Sequence, residues 1–456
     1  MYEEDLRDEA TYDAARREER LWLRARDLGV SRRRLLQMMA AAGAGALLSA
    51  CTTRVESPGG GSSAPTTASG TGPAPAAGGA APSGGQTPAQ GVAPAPGAAA
   101  APAPKDKGIV KPVPPEKFID YGSNQEMRWN QMYNRGYVVP NDLFFVRNHS
   151  KTPRIDPATW KLRVEGSGVS RPLELTYDEL LALPAVSVIR FVECAGNGRG
   201  FFEQRYGKKA QGTQWKLGAI GVAEWTGVPL REVLERAGIK RTARDVMPEG
   251  LDDLKVRRPL PVAKALEDDT LLVFAMNGEP LPPDHGFPVR LLVPGWIGVA
   301  NTKWVGRIEV SEEPLFSPWN TESYVLIGPD YKPEGKAKGP ALTTQVVKSA
   351  LELAWPAELP AGRHTVRGRS WSGHGRIRKV EYSLDGGKSW LPARLQEPNI
   401  PLAWVRWDFE WDAKPGEYEI RVRATDEKGN AQPDSVPWND QGYLYGAVVG
   451  HPVKVG

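Results

Sequence analysis

The sequence contains very little cysteine: Cys51 and Cys194 are the two cysteines among 456 residues. Cys51 lies in a segment with the pattern of an export signal, so Cys194 alone would reach the mature folded part as a thiol. A single thiol excludes an intramolecular disulfide. An exported domain with one isolated cysteine therefore needs another explanation for that residue.

Motifs of several common protein classes are also absent. The five histidines show no HExxH pattern or close spacing, which argues against a zinc site. The sequence has no GxSxG, P-loop or GxGxxG-plus-acid pattern, and no Cys-x-x-Cys-His site for haem attachment. The formal net charge is only +4, and the N-terminal signal contributes many of the positive residues. We therefore expect no haem in this chain and no nucleic acid as its partner.

The N-terminal segment, residues 1–51, has the pattern of a twin-arginine export signal that ends in a lipobox. Paired arginines in residues 31–36 precede an apolar, alanine-rich stretch, residues 38–50. That stretch is shorter than the ~20 apolar residues that a membrane-spanning helix needs. Cys51 follows small residues and would carry the lipid. We expect a lipid-anchored protein at the outer face of the cytoplasmic membrane or in the periplasm; the alternative is a chance arginine-rich helix before an alanine run.

The remainder of the chain divides into a spacer and two predicted domains. Residues 52–115 begin with a long run of Ala, Pro, Gly, Ser and Thr and predict a disordered linker. The rest, about 350 residues, exceeds one typical hydrophobic core. We expect a catalytic domain over residues 116–335 and, after a connection rich in Lys, Gly and Pro, a second domain over residues 341–456.

The pattern after residue 116 predicts an α+β fold, in which an irregular mixed domain is followed by an all-β immunoglobulin-like sandwich. Residues 230–237 have helical spacing, whereas residues 271–274 and 289–293 are apolar runs typical of buried strands. Regular βαβ alternation is absent, which argues against a doubly wound sheet. In the second domain, alternating apolar and polar residues predict strands over residues 364–371, 377–384, 403–411 and 418–424.

Cys194 stands where an apolar run, residues 188–192, gives way to the Gly-Asn-Gly-Arg turn of residues 196–199. A thiol at a strand end beside a cation is favoured as the thiolate, which is the form that binds soft metals. Two alternatives remain open. The cysteine could pack as a small buried hydrophobe, or it could act as a nucleophile with His149 or His285 as its base.

Basic residues stand directly beside apolar runs, glycines or prolines at several other places in the sequence. These residues are Arg147, His149, Arg199, His285, Arg290 and Lys303. Arginine binds phosphates and oxyanions through two parallel hydrogen bonds. A site that gathers these groups would bind an anionic cofactor, an anionic substrate or both; the alternative is that each arginine is a solvated surface charge.

These segments together resemble the sulfite oxidase family of molybdopterin-dependent oxidoreductases, in an exported bacterial form without haem. The resemblance covers the chain from about residue 143 to its end. It rests on the segments Phe-Phe-Val-Arg-Asn-His (144–149), Cys-Ala-Gly-Asn (194–197), Asn-Gly-Glu-Pro-Leu-Pro-Pro-Asp-His-Gly-Phe-Pro-Val-Arg (277–290) and Thr-Lys-Trp-Val-Gly-Arg (302–307). In the second domain, Ser-Leu-Asp-Gly-Gly-Lys-Ser-Trp (383–390) fits the family's dimerisation domain, which implies a homodimer.

The resemblance also implies a cofactor and roles for individual residues. The cofactor is a pyranopterin dithiolene (molybdopterin) that carries molybdenum, with Cys194 as the thiolate ligand from the protein. The residues that would hold the pterin and its phosphate are Phe145, Asn148, His149, His285, Arg290 and Lys303. The residues that would act on the substrate are Arg147 and Arg199, which line the oxyanion pocket, and Tyr324, which helps proton movement.

The reaction that the resemblance implies is oxygen-atom transfer to a small anionic sulfur compound such as sulfite. Since no haem domain precedes residue 116, electrons would pass to an external acceptor, for which a c-type cytochrome is expected. One departure from the family concerns Gln441, which stands where sulfite-type members usually have an arginine. It favours a less charged or larger substrate. The alternatives are sulfane sulfur, a reductase reaction, or a non-enzymatic lipoprotein that binds an anion.

Overall fold

The structure is a computed structural model, and it describes residues 107–456. The predicted export signal, the lipidation of Cys51 and the predicted linker up to residue 106 lie outside the described residues. Among residues 107–456, no helix is both long enough and apolar enough to cross a bilayer.

Helices in the described part of the chain are few and short. The predicted helix over residues 230–237 is confirmed by the helix Leu230–Arg236, whose apolar residues Leu230, Val233 and Leu234 are all buried. The helices are α1 (Tyr177–Leu181), α2 (Gly200–Tyr206), α3 (Leu230–Arg236), α4 (Val262–Ala265) and α5 (Pro318–Thr321).

The first part of the described chain consists mainly of strands. Their bounds are β1 (Phe118–Asp120), β2 (Asn124–Met127), β3 (Val146–Arg147), β4 (Lys161–Glu165), β5 (Leu173–Thr176), β6 (Val186–Glu193), β7 (Ile220–Pro229), β8 (Asp245–Gly250), β9 (Leu260–Pro261), β10 (Leu271–Met276), β11 (Glu279–Pro280), β12 (Arg290–Leu292) and β13 (Val305–Ser311). The predicted strands over residues 271–274 and 289–293 correspond to β10 and β12.

The strands of the first part form three sheets, and the central one positions the candidate site. Its order is β11-β10-β7-β6, with β12 also paired to β10. Every residue of β10 is buried, and so is nearly all of β7, as expected for central strands covered on both faces. The other sheets have the orders β1-β2-β3 and β5-β4-β13-β8-β9, the latter with β13 parallel to β4 and antiparallel to β8. Mixed sheets with short helices confirm the predicted irregular α+β domain.

The C-terminal part is the predicted all-β sandwich. Its strands are β14 (Lys348–Leu351), β15 (Ala357–Leu359), β16 (Gly362–Trp371), β17 (Ile377–Ser383), β18 (Leu391–Pro392), β19 (Arg394–Gln396), β20 (Trp404–Ala413), β21 (Gly416–Asp426) and β22 (Gly450–Val455). They form two sheets, β14-β16-β20-β19 and β15-β22-β21-β17-β18. Alternate residues of β21 are buried, so that Ile420, Val422 and Ala424 pack in the core between the sheets.

The two parts share a continuous hydrophobic core. Trp129 of the first part packs against Trp371 and Trp404 of the sandwich, with ring centroids 6.0 and 5.9 Å apart. The indole Nε1 of Trp404 donates to the carbonyl oxygen of Tyr137 at 2.9 Å. The sandwich therefore contributes directly to the packing behind the candidate site.

The start of the described chain differs from the predicted linker, which extends to residue 115. The backbone N–H groups of Val110 and Lys111 both donate to the carboxylate of Asp284, at 3.0 and 2.7 Å. The carbonyl oxygen of Gly108 accepts from the backbone N–H of Thr152 at 2.9 Å. Residues 107–115 thus pack on the first domain, because their backbone groups find partners there that a composition-based prediction cannot reveal.

Candidate active site

The predicted site residues converge on one cleft of the first domain. The cleft contains about 720 Å³ of space that no atom fills, part of it open to solvent. Its wall includes Phe145, Arg147, His149, Cys194, His285, Arg290, Lys303 and Tyr324.

Two predicted site residues, Asn148 and Arg199, lie directly behind the wall of the cleft. The side chain of Asn148 is buried and accepts a hydrogen bond from the Nζ of Lys303. The side chain of Arg199 is also buried, and its guanidinium lies 5.2 Å from the ring centroid of Tyr443. Both side chains therefore lie next to residues of the cleft wall without being part of it.

Cys194 occupies the position that the sequence predicts, directly after the last residue of β6. Its backbone N–H donates to the carbonyl oxygen of Ala219 at 3.0 Å, and its own carbonyl accepts from the N–H of Asn197 at 2.9 Å. Asn197 in turn accepts the N–H of Ala219 on its side-chain oxygen at 3.0 Å. These bonds hold the turn against β7, and Cys194, which forms no disulfide and is only 5% exposed, lies on the wall of the cleft within hydrogen-bonding reach of Arg147.

Arg147, Tyr324 and His149 form a hydrogen-bonded group in the same cleft as Cys194. The phenol oxygen of Tyr324 lies 2.8 Å from Nε2 of His149 and 3.5 Å from Nη2 of Arg147. Burial, the charge of Arg147 and that of Lys303 lower the pKa of His149 well below 6.5, so the imidazole is neutral near pH 7. Burial raises the pKa of Tyr324, although Arg147 opposes this, and the phenol keeps its proton.

Tyr324 is held in an unusual backbone conformation, with a φ angle of 57°. A bulky residue rarely adopts the left-handed region, and such strain is concentrated at functional sites. Its ring stacks on Tyr443 with centroids 5.1 Å apart and an interplanar angle of 14°. The stacking fixes the direction of the phenol toward His149 and Arg147.

Residues from the C-terminal sequence close this side of the site, which we call the substrate end. The Nε of Arg199 donates to the backbone oxygen of Gln441 at 2.7 Å, and its Nη1 donates to the carbonyl of Thr213 at 2.9 Å. The side-chain Nε2 of Gln441 donates to the carbonyl of Glu322 at 2.9 Å, whereas its Oε1 is buried without a partner among the described residues. The amide of Gln441 thus ties the C-terminal segment to the backbone near Tyr324.

A second part of the cleft, which we call the cofactor end, contains two desolvated basic residues, Arg290 and Lys303. The Nζ of Lys303 donates to the backbone oxygens of Arg147 and Asp284 at 3.1 and 2.8 Å. Arg290 donates from Nη1 to the carbonyl of His285 at 3.0 Å and from Nη2 to that of Asn301 at 3.1 Å. Burial lowers the pKa of Arg290 to about 9 and that of Lys303 well below 10.5. Among residues 107–456 no carboxylate forms an ion pair with either side chain.

Aromatic rings form the floor of the cofactor end. Phe144 stacks on Phe145 with centroids 5.4 Å apart and meets His285 edge-on at 5.2 Å. Burial, followed by the charge of Lys111, lowers the pKa of His285 well below 6.5, so this imidazole is neutral as well. Trp304, with a φ angle of 55°, donates from its indole nitrogen to Pro283 at 2.8 Å and fixes the loop that carries His285.

The cofactor end has the buried donors and positive charge that would bind an anionic group. The Nε of Arg290 and the Oγ1 of Thr302 are buried and have no hydrogen-bond partner among the described residues. A buried donor without a partner costs free energy, and a buried cation without a counter-charge costs more. A phosphate would satisfy both needs, and the thiol of Cys194 supplies a soft ligand on the same wall. The residues present therefore fit a phosphorylated pterin with a thiolate-bound metal.

Comparison with known proteins agrees with this chemistry. The family described as "Oxidoreductase molybdopterin binding domain" matches residues 149–319, and the "Mo-co oxidoreductase dimerisation domain" matches residues 345–452. The sulfite oxidase of Gallus gallus is 38% identical over 329 residues, which cover 68% of this chain and 71% of that protein. The chain belongs to the sulfite oxidase family. Its cofactor is accordingly the molybdenum-carrying pterin of that family.

Two further relatives support the family membership. The mitochondrial sulfite oxidase of Homo sapiens is 36% identical over 337 residues, which cover 70% of this chain. The chain spans 62% of the length of that human relative. In structure, the chain is similar to the sulfane dehydrogenase SoxCD from Paracoccus pantotrophus, with a TM-score of 0.64, 30% identity, and coverage of 73% of this chain and 86% of the other.

Sequence reasoning missed several residues that shape this member of the sulfite oxidase family. They are Lys111, Glu193, Thr302, Lys348 and Tyr443. A signal existed for two of them, since Glu193 directly follows the apolar run of residues 188–192 and Lys348 stands in the apolar segment 346–351. A charged residue in an apolar run is usually buried with a partner. Tyr443 and Lys111 carried no such signal, because their contacts come from distant parts of the chain.

Proposed function

We propose that this protein is a molybdenum oxidoreductase that transfers an oxygen atom to a small sulfur compound and passes the electrons to an external acceptor. One observation carries the proposal: the buried thiol of Cys194 lies on the wall of a cleft that also contains Arg147, Tyr324 and the desolvated Lys303. A binding protein for anions needs the cations but not the thiol. The non-enzymatic alternative is therefore weaker.

The residues that would hold the cofactor are those of the cofactor end together with Cys194. His285, Arg290, Lys303 and Thr302 offer donors to the pterin and its phosphate, and Cys194 offers its sulfur to the metal. When bound, the cofactor supplies oxygen-atom transfer and two-electron redox chemistry. The remaining steps depend on the side chains of the substrate end.

Arg147 and Arg199 would neutralise and orient an anionic substrate. The backbone and aromatic contacts of Arg199 fix its guanidinium before the substrate arrives. The Nη1 of Arg147 donates to the carbonyl of Asn148, which fixes the second guanidinium in the same way. Preorganised donors of this kind cost no rearrangement when charge develops on an oxyanion.

Tyr324 and His149 would control the proton at the substrate end. The phenol oxygen accepts from Arg147, so its own proton is free to point at Nε2 of His149 or at a bound oxyanion. Because the imidazole is neutral, it can accept that proton while the phenol stays close to the substrate. This pair is the general acid–base system that the geometry supports best.

The same proposal covers the electron acceptor, the cellular location and the assembly of the protein. The signal pattern of residues 1–51 supports export and lipid attachment at Cys51, at the outer face of the cytoplasmic membrane or in the periplasm. A chain with no haem motif would need a separate acceptor, for which a c-type cytochrome is suited. The match to a dimerisation domain supports a homodimer, which sedimentation equilibrium of the purified protein would test.

A second substrate class, sulfane sulfur, is favoured by Gln441. An amide in place of a cation weakens the binding of a dianion, because one buried charge pair is lost. The structural similarity to a sulfane dehydrogenase supports the same class. We propose sulfite as the first candidate and sulfane sulfur as the second.

The deciding experiment combines cofactor analysis with two substrates. Protein purified from a host that makes the cofactor should contain molybdenum and pterin in equal amounts and should reduce a c-type cytochrome with sulfite or with glutathione persulfide. Ferricyanide in place of the cytochrome separates substrate oxidation from partner recognition. Protein without molybdenum would exclude the enzyme, and turnover with glutathione persulfide alone would establish the second candidate.

A further inference from the structure

A fully buried ion pair joins the cysteine turn to the sandwich. The Nζ of Lys348, the first residue of β14, lies 2.7 Å from Oε1 of Glu193, the last residue of β6. The two side chains are 1% and 0% exposed. Glu193 is the neighbour of Cys194 in the sequence, so the pair lies directly behind the thiol.

Every polar atom of Glu193 near this joint has a partner. Its Oε1 also accepts from Nδ2 of Asn197 at 2.9 Å, and its Oε2 accepts from the indole Nε1 of Trp371 at 3.0 Å. Its backbone oxygen accepts from Nε2 of Gln345 at 2.9 Å. Three side chains that follow residue 340 thus converge on one residue of the catalytic domain.

Lys348 also binds the turn itself. Its Nζ donates to the backbone oxygen of Asn197 at 2.9 Å, on the far side of the turn from Glu193. One ammonium group therefore bridges the residue before Cys194 and a residue three positions after it. Such a bridge fixes the separation of the two ends of the turn, and so the position of the sulfur between them.

We propose that Lys348 is a positioning residue for Cys194, and that the sandwich thereby sets the geometry of the metal ligand as well as any contact between subunits. This inference rests on the proposed role of Cys194 as the thiolate ligand. Outer-shell partners of this kind orient ligands and change metal affinity or activity by about 10- to 100-fold in other metal sites. A buried pair is costly unless further hydrogen bonds support it, and here Asn197 of the turn and Trp371 of the sandwich supply them.

The test compares two buried pairs of the same sandwich. Arg369 pairs with Glu352 at 2.6 Å, with exposures of 0% and 5%, and it contacts the backbone of Tyr137 but no residue of the turn. Lys348→Met and Arg369→Met should lower the thermal stability of the full-length holoprotein to similar extents. Only Lys348→Met should change the turn.

The first readout is hydrogen exchange of the amides in residues 194–199, measured on the holoprotein. We expect exchange about tenfold faster in Lys348→Met, because local opening of the turn becomes easier, and a change within about twofold in Arg369→Met. The second readout is the sulfur-to-molybdenum charge-transfer absorption of the oxidised protein, which should shift in Lys348→Met alone. Equal changes in both variants, or none in either, would overturn the proposal.

If Lys348→Met cannot be purified as folded protein, the milder variant Gln345→Ala provides the test. Gln345→Ala removes one hydrogen bond to the carbonyl of Glu193 and no charge. It should speed exchange of the same amides by about threefold without a matching loss of global stability, and unchanged exchange would contradict the inference. Molybdenum content of the wild type, measured alongside, tests the proposed function separately.

Discussion

The two ends of the cleft are built in different ways. At the cofactor end, Arg290 and Lys303 are fixed by carbonyl oxygens of the same domain and lie away from water. At the substrate end, the backbone of Gln441 fixes Arg199, and the ring of Tyr443 packs on Tyr324. Gln441 and Tyr443 both belong to the last part of the chain. The cofactor end is thus formed within one domain, whereas the substrate end depends on a segment more than 100 residues away in sequence.

This difference indicates which part of the cleft can change substrate specificity. The cofactor end holds buried cations and unpartnered donors that an anionic group would satisfy, so we expect the ligand to constrain its composition. The substrate end is completed by a C-terminal segment, in which Gln441 contacts Arg199 and Tyr443 packs on Tyr324. We therefore expect substitutions at the two ends to separate cofactor retention from substrate choice.

The largest effect is expected at Cys194, between the two ends. Cys194→Ser removes the soft ligand but changes little volume, so the fold should persist. Activity should fall by more than the ~100-fold seen for outer-shell changes in other metal sites. Molybdenum content and turnover, measured with circular dichroism as a check on folding, would test this. A serine variant with normal turnover would mean that the thiol has no part in the chemistry.

The next largest effect concerns the cofactor end. Arg290→Met should lower the pterin content about tenfold or more, because a buried cation for the phosphate is lost. The stability of the cofactor-free protein should change by only about 1 kcal/mol, since relief of an unpaired buried charge offsets the lost hydrogen bonds. Pterin fluorescence after oxidation and urea unfolding provide the two measurements.

A matched control for that variant is Arg257→Met. Arg257 lies in the same domain, but its guanidinium is partly exposed and pairs with Glu249 at 3.4 Å. It should alter neither pterin content nor stability by a measurable amount. If both variants lost pterin equally, the effect would come from general charge and not from the cofactor end.

A smaller effect, confined to the substrate end, is expected for Gln441→Arg. The added cation should raise kcat/KM for sulfite about tenfold, through electrostatic attraction of the anion. Pterin content should stay the same, and Gln441→Met serves as the neutral control. If the wild type already binds sulfite tightly and Gln441→Arg leaves kcat/KM unchanged, Gln441 does not limit the use of sulfite.

The smallest effect is a pH dependence behind the cofactor end. Burial lowers the pKa of Lys111 from 10.5 to about 7, against the opposing charge of Asp284. Between these values the unfolded chain holds a proton that the folded chain has released, so stability should rise as pH increases from 7 to 10.5. Lys111→Met should reduce the rise in Tm between pH 7 and pH 10 by about 5 °C.

The control for this pH dependence is Lys117→Met. Its ammonium pairs with Asp142 at 2.5 Å closer to the surface, and it should leave the slope of Tm against pH as in the wild type. If the slope of Tm against pH is the same in the wild type and in Lys111→Met, the pKa of Lys111 does not differ between the folded and the unfolded state.

The sequence predicted the parts of this molecule that are encoded locally. The helix at residues 230–237, the strand before Cys194 and the four sandwich strands follow from apolar periodicity, and the structure confirms them. The basic residues of the site were found because each stands beside an apolar run or a rigid turn. These signals depend on neighbours in sequence, which is why they could be read without a structure.

Contacts between distant segments could not be predicted in the same way. Nothing in the sequence around Tyr443 indicates that its ring packs on Tyr324, and nothing around residue 110 indicates a bond to Asp284. Lys348 and Glu193 were visible as charges in apolar segments, but their pairing depends on how two domains meet. The residues that the sequence did not reveal therefore lie mainly in segments that contact the site but are distant from it in sequence.

The bonds from Val110 and Lys111 to Asp284 also have a mechanical consequence. If the protein is tethered through its N-terminus, any pull on the chain enters the described part at residue 107. Asp284 stands next to His285 and also accepts from Thr152 at 2.6 Å, so the load divides between two loops of the cleft. Tension at the tether would pass through the contact of Gly108 with Thr152 and then through Asp284 to the loop that carries His285, before it reached any strand of the central sheet.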